Sequence, residues 1–348
     1  MGSTGLLHPA AYATVIDKAD IDADDKTVRC SLCPRRCMIR DGKEGFCRVR
    51  VNENGTLYST VYGKAAAANV DPIEKKPLYH FLPGTKVFSF GTLGCTLRCK
   101  HCQNWEISQA GGTDRMSMDI PPKRIVQLAK RSGCPTVAAT YNEPFVFFEY
   151  MRDTAKLVKE AGLRMVLVSN GYVEPAPLKD VLPLVDAINI DLKGFSQRFY
   201  GSVTASTFKP VLKTIETLAK SSVHLELTNL IILSLNDDPK GIKEMCEWIV
   251  SHCGHDVPMH FSAFFPHFEL DHIQPTPSGV LLKAKQIAKA AGMHHVYLGN
   301  VRLPDSDRTF CPGCDEMLID RDGYDVIENR IKDSKCPECG RKISGVFS

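Results

Sequence analysis

Long apolar runs are missing from this 348-residue chain. Nowhere do 18 apolar residues follow one another, so no membrane-spanning helix is expected. A strong excess of one charge is missing too. Lys and Arg number 43 against 40 Asp and Glu, a formal charge of +3, and no basic stripe of the kind a nucleic-acid surface needs is present. The N-terminus, MGSTGLLHPA, lacks the charged-then-apolar layout of a secretory leader, so a cytoplasmic protein is expected. Internal repeats and low-complexity tracts are absent. What is left is the composition of a globular protein, 43% hydrophobic and 24% charged. Its length suits one large domain with appendages or two ordinary domains.

Cysteine is the residue present in excess. There are 14, and 11 of them fall into three groups: Cys30, Cys33, Cys37 and Cys47; Cys95, Cys99 and Cys102; Cys311, Cys314, Cys336 and Cys339. Cys134, Cys246 and Cys253 stand apart on helical stretches and are read as core fillers. Gaps of two and three residues in a chain without an export signal favour metal ligation over a disulfide scaffold.

Three parts follow in order. Residues 1–85 hold a lead-in, with the charge-rich patch DKADIDADDK, and a small cysteine module. Within that module VRVNENGTLYSTVYG alternates apolar and polar residues around Asn54–Gly55, a strong hairpin signal. A connector, ANVDPIEKKPLYHFLPG, follows. Residues 86–305 alternate short apolar runs (KVFSFGTLG, TVAATY, RMVLVSN, AINIDLKG, VHLELTNLII, MHFSAFF, HHVYLGN) with amphipathic helical stretches. That alternation predicts an α/β fold with a parallel sheet and right-handed crossovers. Six or seven units suit a partial (β/α)6-type TIM barrel, with a doubly wound sheet as the alternative. Either way, chemistry belongs at the C-terminal ends of the strands. Residues 306–348 are cysteine-rich and turn-rich and form a third, small module.

Each group has its own ligand arithmetic. The last reads CPGC, 21 residues, CPECG. Two C-x2-C knuckles present four thiolates to one tetrahedral ion, a zinc-ribbon pattern or, with the same ligands, a rubredoxin-like iron site. The first group, C-x2-C-x3-C-x9-C, also offers four thiolates, and its spacing leaves open Zn2+ or a fully ligated Fe–S cluster. The middle group, in GCTLRCKHCQNW, offers only three. Three thiolates on a [4Fe–4S] cluster leave one iron without a protein ligand, the arrangement of a site that binds substrate. The competing reading is a zinc site completed by His101 or a distant residue.

C-x3-C-x2-C directly after the first strand of a partial barrel resembles the radical S-adenosylmethionine (SAM) superfamily, over about Lys86 to Asn300. The resemblance implies an enzyme. Its open iron chelates the amino and carboxylate groups of SAM, and its reduced cluster cleaves SAM to a 5′-deoxyadenosyl radical that abstracts hydrogen from a substrate. It also implies an electron donor such as ferredoxin or flavodoxin. Further segments fit. In ATYNEPF, Glu143 stands where such enzymes carry a Gly-Gly-Glu-type motif whose acid holds the SAM ammonium, with Tyr141–Asn142 in place of Gly-Gly. In VSNGY, Ser169 and Asn170 match the segment that meets the ribose or methionyl carboxylate. In INIDLKGF, Asp191 and Lys193 resemble the Asp-x-Lys of pyruvate formate-lyase activating enzymes. Asn229, Asn236 and His260 lie at later strand ends as further candidates. Trp105 and Tyr141, beside the loop, are candidates for packing on SAM or for a plain core role. The whole layout, CxLCPRRC module, TYNEP and DLKGF, resembles the AmmeMemoRadiSam-system subgroup, which implies a link to Memo-like and AMMECR-like proteins.

The substrate class stays open between a protein partner, as for a glycyl-radical activase, and a small molecule. A non-catalytic metal scaffold or electron carrier is the third reading. It leaves unexplained why the middle group alone lacks a fourth cysteine.

Overall fold

The computed structural model describes residues 7–16, 26–112 and 117–348. The patch at 17–25 lies outside the described residues. The chain packs as two compact units. One takes Met1–Val70, Phe88–Arg98 and Cys102–Val185. The other takes Asp71–Val87, Cys99–His101 and Asp186–Ser348.

In the first unit, strands β1 (Ala67–Pro72), β2 (Lys86–Gly91), β3 (Thr136–Ala139) and β4 (Arg164–Ser169) lie side by side in that order. β3 and β4 run parallel, Thr136 opposite Arg164 and Ala139 opposite Leu167. Their runs are buried on both faces, as a parallel sheet covered by helices requires. Helices α1 (Pro122–Arg131), α2 (Phe148–Glu160) and α3 (Pro175–Val181) belong to this unit. β1 was read from the sequence as connector. Its side chains are partly exposed, so it carries no apolar run to betray it. As the last strand of the order it is held by backbone bonds, which leave no compositional mark.

The cysteine module of this unit is built of short antiparallel pieces. Val28–Cys30 pairs with Met38–Ile39. Arg50–Glu53 pairs with Thr56–Ser59, Glu53 opposite Thr56. Asn54 and Gly55 both take positive φ, 54° and 82°, which the tight hairpin turn demands and which Asn and Gly adopt at low cost. The module is fixed to α2 by an ion pair inside the protein. Arg50 Nη2 lies 2.8 and 2.9 Å from the two carboxylate oxygens of Glu149, with side-chain exposures of 1% and 2%. The backbone of Ala11 completes it, its N–H donating to Glu149 (2.7 Å) and its carbonyl accepting from Arg50 Nη1 (3.0 Å).

In the second unit, β5 (Ala187–Asp191), β6 (His224–Ile231), β7 (Met259–Ala263) and β8 (Val296–Gly299) are adjacent and parallel. Between them run α4 (Gln197–Thr204), α5 (Lys209–Ala219), α6 (Pro239–Cys253) and α7 (Ser278–Ala290). α5 buries Val211, Thr214, Ile215 and Leu218, one face at the helical period. α6 starts where Asp238 caps the Gly241 N–H at 2.9 Å with Pro239 at the first helical position, and ends at Gly254 with φ 90°. Three antiparallel strands, Thr309–Phe310, Met317–Asp322 and Asp325–Asn329, carry the last cysteines over a small core of Leu318, Ile319, Ile331 and Ile343. Arg321, fully buried, ties them to the segment before β2. It donates to the Tyr79 carbonyl (2.7 Å) and pairs with Glu74 (3.5 Å). Among the described residues no helix is long and apolar enough to cross a membrane.

Candidate functional site

The loop after β2 carries the three central cysteines. It leaves the strand through Gly94, whose φ is 84° and where a Cβ would stand 2.5 Å from the Cys47 carbonyl oxygen. Only glycine fits both demands. Asn142 clasps the start of the loop: its Nδ2 donates to the Gly94 carbonyl at 2.7 Å and more weakly to the Leu93 carbonyl at 3.3 Å, while its Oδ1 accepts from the Thr92 N–H at 3.2 Å. At the far end of the loop Asn104 donates to the Tyr141 carbonyl at 2.7 Å. Tyr141 itself sits at φ 71°, a conformation that costs a bulky residue energy. Tyr141 thus takes a left-handed backbone of the kind glycine adopts freely, and Asn142 adds a side chain that stitches the loop. That role for Asn142 was not foreseen, because it depends on a contact about fifty residues away in sequence.

Glu143, 1% exposed, joins the ends of β3 and β4. It accepts from Ser169 Oγ (2.9 Å), from the Asn170 N–H (2.8 Å) and from the Phe145 N–H (3.1 Å). Asn170 then reaches the loop. Its Nδ2 lies 3.1 Å from Thr96 Oγ1 and 3.8 Å from Cys95 Sγ. Cys95 Sγ also faces the Leu97 N–H at 3.5 Å, and Cys102 Sγ lies 3.2 Å from Ser108 Oγ. Four predicted residues, Glu143, Ser169, Asn170 and Cys95, therefore form one connected polar chain in the first unit. N–H donors aimed at sulfur stabilise a thiolate and tune any iron it holds. Trp105 opens a single helical turn and is 39% exposed. The Tyr141 hydroxyl accepts from Asn69 at 3.3 Å.

Cys99, His101 and the remaining SAM-pocket candidates lie in the second unit. Cys99 is buried there. Next to it the Lys100 N–H donates to the Val203 carbonyl at 3.0 Å. His101 is buried with Nδ1 unpartnered, and burial pulls its imidazole down to about 3, so it is neutral. At the end of β5, Lys193 Nζ pairs with Asp191 Oδ2 at 3.0 Å, both side chains partly exposed. Two asparagines hold that segment by its backbone: Asn229 donates to the Leu192 carbonyl (2.7 Å) and Asn236 to the Lys193 carbonyl (2.8 Å). His260 is buried on β7, with Nε2 2.7 Å from Glu226. Glu226 was not singled out in the sequence. It also lies 3.0 Å from His224 Nε2 and accepts the N–H groups of Tyr79 (3.0 Å) and His80 (2.7 Å). Burial alone would raise its carboxyl, but the hydrogen bonds from His224 and His260 hold it well below the usual range.

The two four-cysteine groups differ. Cys311, Cys314, Cys336 and Cys339 bring their sulfurs within 4.8 Å of one another, the only such ligand group among the described residues. Cys311 and Cys339 are 3.5 Å apart, Cys314 and Cys336 3.7 Å. A tetrahedral ion with 2.3 Å metal–sulfur bonds needs an edge of about 3.8 Å. This cluster can hold a single metal ion. Backbone N–H groups of Cys339 and Glu338 pull the Cys336 thiol down to about 7, readying it for ligation. Cys30, Cys33, Cys37 and Cys47 instead line one cavity. Burial pushes the Cys30 and Cys33 thiols up, and Cys47 up to about 11.

Comparison with known proteins agrees with the loop. The profile of the radical SAM superfamily matches residues 90–249. A Methanocaldococcus jannaschii protein, carrying the name uncharacterized protein MJ0808, is 42% identical over 326 residues, 93% of this chain and 97% of its own. Pyruvate formate-lyase 1-activating enzyme of Escherichia coli K12 is 21% identical over 226 residues, 60% of this chain and 91% of that enzyme. The crystal structure of Streptococcus suis SuiB bound to S-adenosylmethionine is similar in fold, with TM-score 0.50 and 12% identity over 66% of this chain and 53% of that one. With three cysteines on the loop after a sheet strand, a profile spanning that loop, and relatives that extend the match along the rest of the chain, this protein belongs to the radical SAM superfamily.

Proposed function

We propose that this chain cleaves S-adenosylmethionine reductively at the Cys95, Cys99 and Cys102 loop, and that the 5′-deoxyadenosyl radical so released abstracts hydrogen from a substrate. The observation that carries the reading is the three-thiolate loop, clasped by Asn142 and faced at Cys95 by Asn170. Three thiolates suit a [4Fe–4S] cluster with one open iron, which would supply the electron that breaks the sulfonium bond. The residues around it orient the cofactor. Glu143 is proposed to take the ammonium, its carboxylate already aligned by Ser169 and the Asn170 N–H. Asp191, Lys193 and His260 are proposed for the SAM or substrate pocket. The architecture we infer is a partial (β/α)6-type barrel over 86–305, with the cysteine module of 1–85 before it and a zinc-ribbon or rubredoxin-like module at 306–348.

For the substrate we favour a protein, since the pyruvate formate-lyase 1-activating enzyme among the relatives is named for activating another enzyme. A small-molecule substrate is the runner-up. Ferredoxin or flavodoxin as electron donor, and a Memo-like or AMMECR-like partner, are part of the same proposal.

The test is anaerobic reconstitution, reduction with dithionite in the presence of SAM, and chromatography for 5′-deoxyadenosine. Wild type should form it and Cys99→Ala should not, while zinc in the C-terminal cluster is unchanged. Cleavage retained by Cys99→Ala would overturn the assignment.

A further inference from the structure

The chain carries its own yardstick for the first cysteine group. Its C-terminal thiols are drawn to the edge lengths of one tetrahedral ion. Cys30, Cys33, Cys37 and Cys47 are not, for no three of their sulfurs share that spacing. Yet the four are not scattered. All line a single cavity with about 350 Å³ of empty space, counting the part open to solvent. A mononuclear ion pulls four sulfurs to about 3.8 Å from each other, whereas a polynuclear cluster places metal and sulfide between them and holds them farther apart.

The backbone N–H two residues beyond the cysteine faces sulfur at Cys30, Cys33 and Cys47, from Leu32, Arg35 and Val49, as it does at Cys95 from Leu97 and at Cys311 from Gly313, a ligand feature that single-ion and cluster sites share. Two further features point to a cluster. The cavity wall also contains two guanidinium groups, Arg35 and Arg50. Arg50 is 1% exposed and its Nε has no hydrogen-bond partner, a buried donor left over where an anionic group would meet it. Finally, the wall includes Thr96 of the central loop. Its carbonyl accepts from Arg35 at 2.7 Å, and its hydroxyl shares Asn170 Nδ2 with Cys95 Sγ.

We infer that Cys30, Cys33, Cys37 and Cys47 hold a second iron–sulfur cluster, a fully ligated [4Fe–4S] group rather than zinc, set against the Thr96 wall beside the cluster loop. With four thiolates it has no open iron, so it binds no SAM. Its position suits a one-electron relay between a low-potential external donor and the loop. Only that relay rests on the reading of the loop given above; the metal assignment stands by itself.

The experiment uses the full chain, reconstituted anaerobically with iron and sulfide. A Cys95→Ala, Cys99→Ala, Cys102→Ala variant should keep about four irons, with the spectrum of a [4Fe–4S] cluster unaffected by SAM. In the otherwise unchanged chain, Cys33→Ser with Cys47→Ser should cut the iron from about eight to about four and leave the SAM-sensitive signal. That second variant decides the matter if the first does not fold. When both clusters are reduced, spin coupling should broaden the electron paramagnetic resonance signal, and the broadening should vanish in the Cys33→Ser, Cys47→Ser variant. An iron-free triple variant containing two zinc ions per chain would overturn the proposal. So would four irons in wild type that Cys33→Ser with Cys47→Ser does not reduce. Loss of 5′-deoxyadenosine formation with eight irons present would instead count against the loop reading alone.

Discussion

Replacing Glu149 by Gln puts the packing of the cysteine module to a quantitative test. The change keeps the side-chain volume and removes one negative charge from a pair that is 1% and 2% exposed. Arg50 cannot shed its proton, so its charge stays buried and loses its paired carboxylate, keeping the Ala11 carbonyl, one amide oxygen and the thiol groups of the cavity beside it. Breaking a buried pair from one side costs about 3–5 kcal/mol, and we expect a loss in that range. Arg50→Met should cost a comparable amount, because it strands the carboxylate with the Ala11 N–H as its donor. The double variant should be far better than the sum, with a coupling of about 2 kcal/mol or more, since buried pairs replaced from both sides are often near neutral. Equilibrium urea unfolding of the four proteins, prepared identically under anaerobic conditions, gives the cycle. A cost for Glu149→Gln below about 1 kcal/mol, or additivity of the two changes within about 0.5 kcal/mol, would refute the argument that this pair fastens the module to α2.

Asn142→Ala should leave the buried Thr92 N–H and Gly94 carbonyl without that partner. At about 1–3 kcal/mol for each of the two stranded groups, roughly 2–6 kcal/mol should be lost, and iron retained through gel filtration should fall; Asn142→Asp, which keeps the acceptor, should lie between. Equal iron and an equal unfolding midpoint would refute the clasp. Acid should also weaken the fold, in a predictable window. Burial holds His80 down to about 4 and His295 well below its usual value, so both are neutral when folded and take up protons on unfolding below about pH 6.5. Stability is therefore full above about pH 6.5 and falls as pH drops toward 4, by on the order of 3 kcal/mol for His80. Glu226, whose carboxyl is depressed, extends the loss to lower pH. Urea midpoints at pH 7.5 and 5.0 check this, and a flat profile would contradict it.

Much of this molecule is written in short stretches of the chain. A buried strand needs an apolar run and a helix an apolar face, so seven sheet strands and the long helices follow from local pattern alone. A tight hairpin needs positive φ, so Asn54–Gly55 marks it. The number of thiols in each group is likewise a fact of sequence, and so is the missing fourth ligand at Cys95, Cys99 and Cys102. What sequence leaves undecided is everything set by partners far apart in the chain. β1 has no apolar run because its side chains are partly exposed and its backbone bonds to the neighbouring strand leave no pattern to read. Glu226 becomes an acceptor only when β6 brings it to Tyr79, His80 and His260, and Asn142 becomes a clasp only when β2 and β3 lie side by side. The clearest case is the pair of four-cysteine groups. Both offer four thiolates, and only the fold draws one set to the edge of a single ion and spreads the other around a cavity. Ligand identity is a local property, but the distance between sulfurs is fixed by the core packed behind them.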